Sequence, residues 1–149
     1  MSDKELQEYN AFLEQKKQTR IESGFTIEES ELNPMLFPFQ KYCVKRALQA
    51  GKFALFEDCG LGKSPQQLEW AQKVIEHINM PVLILAPLAV VSQTIKEGDK
   101  FGYVVTEIDD NENKFFTPQS NGIYITTTRT WKTSIQRLLV ALCLMKVQY

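Results

Sequence analysis

A chain of 149 residues, 44% hydrophobic and 23% charged, is long enough for one well-filled core, and its composition excludes the disordered and collagen-like classes. A formal net charge of −1 gives no chain-wide attraction to nucleic acid or to an anionic membrane, so any such contact must come from a local patch. Three widely spaced cysteines, Cys43, Cys59 and Cys143, make neither a metal-ligand pair nor a disulfide framework, which suits a soluble protein of the reducing cytoplasm.

Asp3 to Arg20 reads as a solvated helix, with a thin stripe of Leu6, Tyr9, Phe12 and Leu13 that packs it on the domain edge. Its charge excludes a signal peptide. Ser23-Gly24 breaks the pattern, Glu28 to Glu31 is an acidic loop, and Pro34 and Pro38 hold the chain extended. A helix is predicted from Phe39 to Ala50, with Phe39, Cys43, Ala47 and Leu48 on one face and Gly51 as its C-terminal cap. Lys52 to Phe56 is apolar and reads as a buried strand running into Glu57-Asp58-Cys59-Gly60-Leu61-Gly62-Lys63-Ser64.

A helix from Lys63 to Ile78 should turn Leu68, Ala71, Val74, Ile75 and Ile78 inward. After Pro81 comes a second buried strand, Val82 to Ala86, then a helix across Val90 to Glu97. Strands at Tyr103 to Ile108 and Ile123 to Thr126 flank a polar loop, Asp109 to Asn113. His77 is expected to be an exposed helix residue, and Trp70 and Trp131 to pack helices rather than stack bases. Strand and helix alternate with short connections, which predicts an α/β fold with a parallel sheet covered on both faces.

The strongest local signal is Gly60-Leu61-Gly62-Lys63-Ser64 between a strand and a helix. Glycines let the backbone turn tightly and aim N–H groups at phosphate oxygens, and the helix N-terminus adds partial positive charge. Lys63 reaches the β- and γ-phosphates, and the Ser64 hydroxyl ligates Mg²⁺. Two positions depart from the G-x-x-x-x-G-K-[ST] pattern. Glu57 stands where the first glycine is usual, and Pro65 removes an N–H that commonly serves a phosphate.

Upstream lies Leu36-Phe37-Pro38-Phe39-Gln40, and downstream Leu83-Ile84-Leu85-Ala86-Pro87-Leu88-Ala89-Val90-Val91-Ser92-Gln93, followed by Tyr124-Ile125-Thr126. In this order around the phosphate loop, these pieces resemble the first RecA-like lobe of superfamily-two helicases. The nearest branch is the Swi/Snf-type DNA translocases, particularly phage and bacterial members. The resemblance implies a RecA-like P-loop sheet, with ATP and Mg²⁺ as cofactors and DNA as the partner of the intact motor. It assigns Gln40 to adenine, whose edge a glutamine amide can both donate to and accept from. It assigns Cys59, Gly60, Leu61, Gly62, Lys63 and Ser64 to the nucleotide, and Pro87, Leu88, Ala89 and Gln93 to the nucleic-acid backbone.

The resemblance covers about Leu32 to Thr126, the ATP-binding lobe, preceded by a helix and linker at 1–31 and followed by an unrelated tail at 127–149. After Thr126 the family continues I-T-N-Y-E and reaches a D-E-x-x motif that holds Mg²⁺ and orients water. This chain has no Asp or Glu after Glu112. Shifting the reading frame by one nucleotide at Thr126 forces Glu at Trp131-Lys132 and at Met145-Lys146. With permitted codons elsewhere, the tail then reads I-T-N-Y-E and ends in D-E-S-S. A frame change is therefore expected, leaving the sheet incomplete on its C-terminal side. The tail's apolar run, Leu138 to Met145, is too short for a membrane span of ~20 residues, and forms either a helix by propensity or an exposed apolar patch.

The expected protein is thus the ATP-binding fragment of a DNA helicase or translocase. It has no catalytic residue of its own, binds ATP at most weakly and does not hydrolyse it. The alternatives are one half of a split motor, completed by a separately encoded chain with D-E-x-x and the second lobe, and a small-molecule P-loop kinase. The kinase would need a lid and an activating acid, and neither has a place in this sequence.

Overall fold

A computed structural model of the chain describes residues 6–10, 12, 23–108, 121–127 and 141–143. Residues 6–10 and 12 are helical, but Leu6, Tyr9 and Phe12 are each about half exposed, so the predicted edge-packing stripe is turned largely to water. The acidic segment closes into one 3-10 turn, Glu29–Glu31, because the Glu31 carboxylate accepts the N–H of Glu28 at 2.7 Å.

Helix α1, Pro38–Ala50, opens on a proline whose missing N–H has no partner to lose there and ends at Gly51, with φ of 74°. Its buried face is Gln40, Val44 and Leu48 rather than the expected Phe39, Cys43, Ala47 and Leu48. The helix is rotated because Gln40 is drawn inward by two hydrogen bonds, which leaves Phe39 exposed. Gly24 lies against the end of this helix, where its N–H and that of Phe25 bond the carbonyls of Gln49 and Leu48.

Helix α2, Lys63–Ile78, and strand β1, Val82–Ala86, form where the sequence predicts them. Leu68, Ala71, Val74 and Ile75 are buried, while Ile78 lies beyond the contact and is exposed. All five β1 residues are buried, so the sheet is covered on both faces at its centre. Helix α3, Leu88–Phe101, outruns the expected Val90 to Glu97 because Pro87 starts it and nothing stops it before Gly102.

Strand β2, Val105–Glu107, is shorter than the expected Tyr103 to Ile108, since Tyr103 turns into the core and Ile108 lies past the end of the ladder, its N–H donating to Ile125 O and its carbonyl accepting the Thr126 hydroxyl. Strand β3 is Ile123–Thr127. One core joins Val44 and Leu48 of α1, Leu68 of α2, Ile84 of β1, Val91 of α3 and Ile125 of β3. Trp70 packs against it, as expected. His77 is exposed but stacks on Phe25, the ring centroids 3.8 Å apart.

The sheet is parallel, in the order β2-β3-β1-β4, with Val82 opposite Ile123 and Val105 opposite Ile123. Its fourth strand, β4, is Ala141–Cys143, paired with Val82 to Ile84. That segment lies in the apolar run expected to form a helix or an exposed patch. The second edge of β1 carries N–H and C=O groups that a strand satisfies and a helix does not, so pairing overrides propensity.

Lys52 to Phe56 is not a strand. Phe53 and Leu55 are half-buried while Lys52, Ala54 and Phe56 are exposed, the alternation of an extended chain, but no ladder forms. Both edges of β1 are taken by β3 and β4, and no described strand lies alongside this segment. The chain is therefore a mixed α/β protein with a small parallel sheet. Asp109 to Asn113, Trp131 and most of the tail after Thr127 lie outside the described residues.

Candidate functional site: the glycine loop and its cavity

Gly60 and Gly62 take φ of 83° and 74°, a region that side chains with a Cβ seldom enter. At Gly62 close packing adds to this, since a Cβ there would lie 2.4 Å from the Gln40 amide nitrogen. Gly62 is the N-cap of α2, and the N–H groups of Lys63 and Ser64 fall in the first turn, where no helical carbonyl can accept them. Pro65, buried in the same turn, adds no donor. The loop thus offers backbone donors and the positive end of a 16-residue helix to an anion.

Lys63 folds back over this loop, its Nζ donating to the carbonyls of Glu57 at 3.0 Å and Asp58 at 2.8 Å. Ser64 is half-buried, and Cys59, Gly60 and Leu61 are exposed. Glu57, the departure from the glycine pattern, has a structural part to play. Its carboxylate accepts the amide of Gln66 at 2.8 Å, and the same amide nitrogen reaches Gly62 O at 3.2 Å. Gln66 is 1% exposed, and its own carbonyl oxygen has no hydrogen-bond partner among the described residues. Burial first, and then the Glu57 carboxylate it faces, push the Cys43 thiol above its ordinary range, so this cysteine is a poor nucleophile.

Gln40 is 4% exposed and turned into the protein. Its Oε1 accepts the N–H of Phe37 at 3.0 Å and its Nε2 donates to Leu61 O at 2.9 Å. The amide therefore ties the start of α1 to the crest of the glycine loop. One hydrogen and one lone pair of the amide are left over among the described residues.

Beside the loop lies a cavity of ≈ 340 Å³, within the range of small-molecule sites. Leu61 and Gly62 form one wall, Phe37 and Phe39 a second, and Glu97 and Lys100 from α3 a third. The two phenylalanine rings are within 8° of parallel, with centroids 6.3 Å apart.

A buried polar knot fixes this wall to the helices. Glu69, 1% exposed, accepts the N–H of Asn33 at 3.1 Å and the hydroxyl of Tyr103. The Asn33 amide donates to Phe101 O and to the Tyr103 oxygen, both at 2.9 Å. Burial, then the bond to Glu69, pushes the Tyr103 hydroxyl well above the ordinary tyrosine range.

Pro87, Leu88, Ala89 and Gln93 are all exposed, directly after the C-terminal end of β1 and along the first turns of α3. They form a surface separate from the cavity walls. Sequence reasoning missed Gln66, Glu69, Tyr103 and Glu97. The visible hint was a glutamate beside Leu68, at the edge of an apolar helix face, where a carboxylate needs a partner.

Among the described residues no group of three or more His, Cys, Asp or Glu is arranged to hold a metal ion. Among those residues, too, no helix is long and apolar enough to cross a membrane. No family profile, curated protein or solved structure matches this chain.

Proposed function

We propose that this chain is the ATP-binding part of a superfamily-two DNA helicase or translocase of the Swi/Snf type, built on a RecA-like sheet. The observation that carries the reading is the Lys63 ammonium folded over a two-glycine loop at the head of α2, with an aromatic-walled cavity alongside. A triphosphate supplies four negative charges in place of two carbonyl dipoles, so Lys63 exchanges its backbone partners for phosphate oxygens. A Mg²⁺ bound with the nucleotide would be held by the Ser64 hydroxyl and would neutralise phosphate charge. The nucleotide contacts are Cys59 to Ser64, with Gln40 holding the loop crest and offering its remaining hydrogen to the base. In the intact motor Pro87, Leu88, Ala89 and Gln93 meet the nucleic-acid backbone.

No Asp or Glu follows Thr126 to serve as the D-E-x-x pair that orients water, so the chain binds ATP without turning it over. Calorimetric titration of the purified chain should show ATP binding that weakens at least about tenfold in Lys63→Ala, the loss of one charge-assisted contact. Equal binding by the two proteins, or DNA-stimulated phosphate release by the wild type, would sink the reading.

A second reading, one half of a split motor, is favoured by the extended segment ahead of the loop. Phe56 is 78% exposed there, on a run patterned like a strand but with no strand neighbour among the described residues. A separately encoded chain with the D-E-x-x strand would supply that neighbour. Co-expression with the product of the downstream reading frame should yield a complex in which Phe56 is protected from solvent, and failure to co-purify excludes this reading.

A further inference from the structure

Charge is not spread evenly over α1, α2 and α3. Helix α2 sets Lys63 and Lys73 against Glu69 and Glu76, and α3 sets Lys96 and Lys100 against Glu97 and Asp99. Helix α1 carries Lys41, Lys45 and Arg46 and no acidic residue, in a chain whose net charge is −1. These cations do not serve the helix itself. None lies in its last turn, where the dipole favours positive charge, and the helix holds no acid to pair with them. Gln40, Val44 and Leu48 are buried on its inner side. On the outer side Tyr42 is 68% exposed. Residues three and four apart are neighbours on a helix surface, so Lys45 and Arg46 both adjoin this ring, and Lys41 stands one turn before Lys45. Arg46 is held in place by Gln49, to whose side-chain oxygen it donates at 3.1 Å.

We infer that this face of α1 binds single-stranded nucleic acid, with Lys41 and Lys45 on the phosphates and Tyr42 stacked on a base. Lysines that neutralise phosphates release counterions, which supplies affinity without regard to sequence. The ring decides the kind of partner. A single strand has base faces free to stack on a phenol, a duplex keeps its bases stacked on one another, and an acidic peptide offers charge without a flat ring. The inference goes beyond the contact proposed for Pro87, Leu88, Ala89 and Gln93, and it does not rest on nucleotide binding.

The test is fluorescence anisotropy of labelled oligothymidylate with the full chain, without nucleotide, over a series of salt concentrations. Affinity should fall about fivefold or more in Tyr42→Ser, the loss of one base stack. In Lys45→Gln the slope of log affinity against log salt should shrink by about 0.7, the loss of one phosphate contact on a single strand. Lys73→Gln on α2 should change neither quantity. An abasic strand of equal length keeps the phosphates and removes the bases. The wild type should bind it about fivefold more weakly than oligothymidylate, and Tyr42→Ser should bind the two within about twofold. The wild-type ratio needs no variant, so it decides the matter even if a substitution disturbs folding. A ratio near one, no binding at all, or duplex or polyglutamate bound as tightly as oligothymidylate overturns the inference. Full binding in both Tyr42→Ser and Lys45→Gln overturns it too. If binding is lost instead in Gln93→Ala, the contact proposed for α3 stands without α1.

Discussion

Downstream of Gly60, the glycine loop runs into a helix whose first turns are held from several directions. Gln40 bonds the crest from α1, Gln66 reaches back to Glu57 and Gly62, and Pro65 to Glu69 are all buried. Upstream, Lys52 to Phe56 runs extended with every second side chain in water and no ladder. One arm of the loop is anchored by side chains and a helix, whereas the other has the pattern of a strand without the sheet. Glu57 joins the two, because its carbonyl holds Lys63 and its carboxylate holds Gln66. A glycine loop can thus keep its shape from one side alone, provided the first residue of the turn is pinned to the helix.

That contrast can be broken by substitution. The largest effect belongs to Gly62→Ala, which forces a left-handed φ on a residue with a Cβ and drives that Cβ into the Gln40 amide. It should cost about 2–3 kcal/mol in urea unfolding and abolish ATP binding as the crest shifts. Unchanged stability would mean that Gln40 does not hold the loop.

Tyr103→Phe comes next, at about 1–2 kcal/mol, because it leaves the buried Glu69 oxygen without its donor. The same residue sets a pH dependence. With its folded pKa raised, Tyr103 stabilises the fold fully below the ordinary tyrosine value of about 10, and that stability is lost as the pH climbs above it. Thermal melts from neutral pH into this alkaline range should therefore fall more steeply for the wild type than for Tyr103→Phe.

The smallest effect should be that of Phe56→Ser on the arm without a ladder, within about 0.5 kcal/mol. A loss several times larger would show that Phe56 is covered, and would sharpen the case for a strand partner.

The parts of this arrangement that the sequence made visible are those set by near neighbours in the chain. The helix from Lys63 to Ile78 and the strand from Val82 to Ala86 appear at their predicted bounds because a 3.6-residue period and a continuous apolar run are local signals. Gly60, Gly62 and Lys63 were legible for the same reason. Lys52 to Phe56 was misread because a strand exists only against an edge, and no run of five residues reports whether one is free. The inward turn of Gln40 was hidden, since its partner Leu61 lies 21 residues away. The cavity beside the loop gave no sign at all, because three separate segments assemble it.

The knot of Asn33, Glu69 and Tyr103 has a bearing on time as well as on shape. Its bonds span 34 to 70 residues, so no part of it can nucleate locally. It closes only after α2 and α3 have docked, late in folding, and interactions made that late govern how fast the native state is lost rather than how fast it is reached. Asn33 lies two residues before Met35, at the root of the segment that carries Phe37 and Phe39. The lifetime of the cavity is then set by a latch that never touches its contents.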